Sequence, residues 1–199
     1  MNIIQNNFFT IENISLASTI MANFILIIVI GLRNNKSRNN KFFLGFISSI
    51  FAWTISTLAF LVTSGNWAYF SAQMFYVSGC IIPVFIILFA ETFPRQELHY
   101  SKLKLWLFLT FPTIICISAL IPGWVVKGTG MDGLYKTIIY GPGYGILFGY
   151  IAIYFTIALA LMFKKYIQLK GIEKKQVEII GISVYFATFS ALCVSLVMP

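Results

Sequence analysis

Charge is scarce in this chain. Only 10% of its 199 residues are Asp, Glu, Lys or Arg, six of them acidic, and there is one histidine, His99. A soluble globular domain is about a quarter charged, so this composition excludes an ordinary water-facing fold. The three cysteines, Cys80, Cys116 and Cys193, all fall inside apolar runs, which argues against a disulfide framework of exposed loops and for small apolar packing residues. His99 has no cysteine beside it, so no zinc-type ligand spacing exists. No apolar run carries Asp, Glu, Lys, Arg or His near its centre, where proton relays, ion pathways and retinal-type lysines sit. The serines have no histidine partner within a run, and there is no Gly-rich phosphate loop. No catalytic residue, metal ligand or cofactor is therefore assigned, and the chain is read as non-enzymatic.

What the chain has is long apolar runs. It is 59% hydrophobic with a mean hydropathy of +0.86 and twenty Phe residues. Six runs are long enough to cross a hydrocarbon core of about 30 Å as helices: residues 14–32, 42–63, 67–90, 105–121, 144–163 and 179–198. Pro83 and Pro112 lie inside the third and fourth; a bend is expected near Pro83, which cannot donate to the Gly79 carbonyl. Between the fourth and fifth runs, Trp124, Val125 and Val126 and then KTIIY (136–140) flank GTGMDG, the pattern of a small β-hairpin. The expected fold is an all-α membrane protein of six transmembrane helices, within a seven-helix bundle, with a small extracellular β-hairpin.

The basic residues set the orientation. Lys164 to Glu178, KKYIQLKGIEKKQVE, holds five of the fourteen Lys and Arg residues. With it inside the cell, the segments on that side carry four (33–41), three (95–104) and five (164–175) basic residues, against Lys127 and Lys136 outside. Short loops follow this positive-inside bias, which also explains the net charge of +8 without nucleic acid. The chain is expected in the cell membrane, multi-pass, with Met1 outside. Pro199 then also lies outside, and a seventh span returning the chain to the cytoplasm is expected beyond it. Gly171 is expected to separate two helical extensions.

Two sets of residues are singled out. Gly145 with Gly149, and Ser183, Ala187, Ala191 and Ser195, repeat small side chains every fourth position; this suits close helix packing within the bundle, or a dimer or signalling interface. Trp67, Tyr69, Trp124, Tyr135, Tyr140 and Tyr144 gather at the outer ends. Such rings suit a headgroup-level aromatic belt and equally the lining of a small-molecule pocket under a Gly-rich loop. Lys127, Asp132 and Lys136 add charge there.

The segments GLRNNKSRNNKFFLGFISSIFAWTISTLAF, IIPVFIILFAETF, YGPGYGILFGY and GIEKKQVEIIGISVYFATFSALCVSLVMP together carry a family likeness. In order and spacing they resemble the N-terminal seven-transmembrane region of bacterial sensor histidine kinases, with Trp53 in the second span, Pro83 and Phe89-Ala90 in the third, and Gln176 after basic residues before the sixth. The resemblance implies a membrane-embedded sensory input region whose output, a histidine kinase or diguanylate cyclase module, lies elsewhere. It implies no ligand-binding residues. The expected partners are the lipid bilayer, a second copy in a homodimer of the full-length protein, and an unknown small-molecule or membrane stimulus. The competing reading is a small carrier or channel subunit, whose polar path would be Ser48, Ser49, Thr54, Ser56 and Thr57.

Overall fold

The computed structural model describes residues 11–33, 37–95, 102–133 and 135–197, with side chains in the last helix described as far as Tyr185. The order is α1 (Ile11–Arg33), α2 (Arg38–Val62), α3 (Gly65–Thr92), α4 (Lys102–Leu120), β1 (Val126–Asp132), β2 (Tyr135–Tyr140), α5 (Tyr144–Gln168) and α6 (Gly171–Val197). Among the described residues, α1 to α5 are long and apolar enough to cross a membrane. The sixth expected span, 179–198, lies in α6 and runs on into side chains outside the described residues.

The centre of the structure is α3. It packs against α2, α4, α5 and β1, while α1 packs on α2 and α6 on α5. Small side chains set this: Ala68, Ala72 and Cys80 are fully buried along one face, one turn or two apart, so neighbouring helices come close. Trp53 of α2 lies over Gly79 and against the Phe75 ring, centroids 5.2 Å apart. A methyl group on Gly45 would strike the Phe85 ring, which marks a second close approach of α2 to α3. α3 continues through the buried Pro83. One residue beyond the Gly79 carbonyl that Pro83 leaves without its helical donor, the Cys80 carbonyl accepts a 2.8 Å hydrogen bond from Tyr150 Oη of α5.

One expectation for the connections holds and one changes in detail. The Lys164–Glu178 segment is nearly all helix: α5 runs to Gln168 and α6 starts at Gly171, which takes φ +61°, a value that suits glycine. The hairpin is present, antiparallel, with Asp132 opposite Tyr135 and Val126 opposite Tyr140. Its turn is shorter than GTGMDG suggests, because Gly128, Thr129, Gly130 and Met131 are strand. Ile139 reaches across to both glycines, 3.7 Å from where a Cβ would stand on each, and this cross-strand cover offsets the usual weakness of glycine in a strand.

Candidate functional site

The end that carries the hairpin is built by tying the hairpin to three helices. Lys136 of β2 donates to the carbonyl of Phe60 at 2.6 Å and to that of Thr63, so the last turn of α2 gains a cation where its carbonyls lack helical partners. Its ammonium also lies 4.9 Å from the centroid of the Phe60 ring, within range of a cation–π contact. Burial pushes the Lys136 pKa below the ordinary lysine value, while the two carbonyls and the ring hold the charged form. Tyr69 of α3 donates to the Val126 carbonyl at 2.9 Å and accepts from the Gly123 amide at 3.0 Å. Gln73, one turn further along α3, donates to the Leu120 carbonyl at the end of α4, 3.0 Å away.

The connection into α5 is equally tight. Gly141 and Gly143 donate their amides to the Val125 and Trp124 carbonyls at 2.9 and 2.8 Å. A side chain on Gly141 would overlap the Trp124 and Gly123 carbonyls, and one on Gly143 would overlap the Trp124 indole. Tyr140 stacks on Tyr144 with centroids 4.1 Å apart, and Tyr144 meets the buried Tyr76 edge-on at 6.0 Å.

The six aromatic residues expected at this end thus separate. Tyr69, Trp124, Tyr140 and Tyr144 come together with the hairpin and the start of α5. Trp67 is 71% exposed and contacts Phe70, away from the others. The side chain of Tyr135 lies outside the described residues. Lys136 does not stand free; it is committed to the end of α2. Tyr76, Gln73, Gly141 and Gly143 join the site without having been singled out. An inward face on an all-apolar span gives no signal by composition, although the GPG sequence at 141–143 marks a constrained turn.

The opposite end has its own junction. Lys165 of α5 donates to the carbonyls of Glu91 and Phe93 at 2.5 and 2.6 Å, Asn39 of α2 donates to the Pro94 carbonyl at 3.2 Å, and Arg95 forms a 3.1 Å ion pair with Glu173 of α6. The Phe93–Pro94 peptide is cis. Lys174 lies 4.4 Å from the Tyr166 ring centroid. A cavity of about 200 Å³ opens here beside Arg95, Lys165 and Leu169, and one of about 500 Å³ lies between α5 and α6, lined by Met162, Phe163, Tyr166, Val177 and Ile182. Both lie away from the aromatic cluster at the hairpin.

Of the small residues expected to pack, three have described side-chain surroundings, and none of these is buried within the chain. Gly145 and Gly149 face open space, since a Cβ on either would meet nothing within 4 Å. Ser183 is exposed and donates to its own helix at Ile179. The side chains of Ala187, Ala191 and Ser195 lie outside the described residues. Four of the five hydroxyls expected to form a polar path are turned to their own helix: Ser49, Thr54, Ser56 and Thr57 donate to the carbonyls of Gly45, Ile50, Ala52 and Trp53, each four residues back.

A model of the N-terminal 7TM region of histidine kinase matches residues 14–198. The chain belongs to this family. No curated protein and no solved structure matches it. With five apolar helices of spanning length, it is a multi-pass membrane protein and the sensory region of a histidine kinase, a non-catalytic input region.

Proposed function

We propose that this histidine-kinase 7TM region receives its stimulus at the outer hairpin and passes it inward by rearranging helices around α3. The observation that carries this is the pinning of one small hairpin to α2 by Lys136, to α3 by Tyr69, and to α5 through Gly141 and Gly143. Any ligand or lipid contact that shifts the hairpin acts on three helices together. At the other end α3 is joined to α5 by Lys165 and to α6 by Arg95 and Glu173. A stimulus moves this assembly only as far as it binds one packing better than the other. The reading places the hairpin and Met1 outside, the inner junction in the cytoplasm, and the six helices within a seven-helix bundle whose kinase output follows. It also takes the intact protein as a homodimer, for which the open Gly145 and Gly149 face offers a close-approach surface.

The test is made in the intact histidine kinase. Substituting Trp124→Ala together with Tyr140→Ala is expected to abolish stimulus-dependent autophosphorylation while expression and basal phosphorylation persist. An unchanged dose–response would reject the hairpin as the receiving element and leave these rings as membrane anchors.

A further inference from the structure

Cys80 and Cys116 meet inside the bundle, away from both the outer hairpin and the inner junction. Cys80 is fully buried on α3, and Cys116 lies opposite it on α4, partly exposed. The Cys116 sulfur lies 3.9 Å from the Val77 carbonyl oxygen, one turn before Cys80 on α3, so α4 presents Cys116 to the turn of α3 that ends at Cys80. Both belong to the same apolar core cluster, and both are free thiols.

Paired thiols can hold a soft metal ion or close to a disulfide. Metal binding takes two thiolates; with a monovalent ion it leaves a net negative charge between two spans, 67–90 and 105–121, that contain no Lys, Arg or His, and an uncompensated buried charge is expensive. A disulfide leaves no charge at all. We propose that Cys80 and Cys116 are a redox-active dithiol within the membrane, closed to a disulfide by an uncharged, lipid-permeant two-electron acceptor that takes up two hydrogens.

The Cys116 sulfur, the one reachable from outside the core, adds to the acceptor's electrophilic double bond, and its proton passes to the far atom of that bond. The Cys80 sulfur then attacks the Cys116 sulfur. The bond to the acceptor breaks, and the Cys80 proton leaves with it. Two S–H bonds are lost, one S–S bond forms, and the acceptor is reduced by two electrons and two protons. The product ties α4 to α3 just below the point where Gln73 holds the end of α4, so oxidation fixes the footing of the hairpin. This chemistry does not depend on the sensory reading.

The test uses the unaltered chain in lipid nanodiscs, so no variant has to fold. Diamide, a membrane-permeant azo oxidant, is added at a concentration that fully oxidises an added small dithiol. The chain is then unfolded, alkylated, digested and mapped by mass spectrometry. The expected result is a Cys80–Cys116 linked peptide, lighter by two hydrogens than the separate peptides and restored by reduction. Recovery of both cysteines alkylated, or of links only to Cys193 or between chains, would overturn the proposal.

Discussion

At Lys136 a single side chain joins the hairpin to a membrane helix. Its ammonium answers two carbonyls at the end of α2 and rests against the Phe60 ring. A hydrogen bond to a charged group contributes about 1.5–3 kcal/mol net of water, and less where the group is partly exposed, as Lys136 is. Lys136→Met keeps the stem and removes the charge. It is expected to lower stability by about 1–3 kcal/mol and to speed amide exchange in the two strands, as measured by thermal unfolding and hydrogen exchange in nanodiscs. Unchanged values for both would show the contact to be idle. The Arg95–Glu173 pair is a weaker device: its side chains are 63% and 41% exposed, and exposed pairs contribute about 0–1 kcal/mol.

Among the elements, two glycines bracket the start of α5 and behave oppositely. Gly141 is pressed against backbone carbonyls, which cannot move aside as a side-chain tip can; Gly145 meets nothing. Gly141→Ala is therefore expected to destabilise by about 1–3 kcal/mol, and Gly145→Ala to stabilise by up to about 1 kcal/mol through helix propensity, both read from thermal unfolding in detergent. A loss at Gly145 equal to that at Gly141 would mean the GxxxG face is packed after all. This contrast also shows how far the sequence could be read. The apolar runs at 14–32, 42–63, 67–90, 105–121 and 144–163 and the hairpin were legible because a helix across hydrocarbon needs a length that loops interrupt. The close-packed face was not. Spacing of small residues is alike in Ala68-Ala72 of α3 and Gly145-Gly149 of α5, yet only the first is buried within the chain, and no amphipathic contrast separates inner from outer faces when both are apolar. Nor did the sequence show α3 as the centre, since its burial comes from neighbours far along the chain. The aromatic cluster was legible in type and not in membership: Trp67 looks the same as Trp124 until the chain folds.

In the proposed orientation the whole molecule has two unlike ends on opposite sides of the membrane, with α3 joining them: an outer hairpin fastened to α2, α3 and α5, and an inner junction fastened to α2, α5 and α6. The twelve basic residues of the 33–41, 95–104 and 164–175 segments against Lys127 and Lys136 give the direction. The most direct measurement is accessibility labelling in intact cells with a membrane-impermeant maleimide. Single cysteines at Met131, 68% exposed on the hairpin, and at Ile172, 77% exposed at the start of α6, are placed in a chain whose native cysteines are replaced by serine. The proposed orientation predicts that Met131→Cys is labelled from outside and that Ile172→Cys is labelled only after the cells are opened. Labelling of Ile172→Cys in intact cells, with Met131→Cys protected, would contradict it.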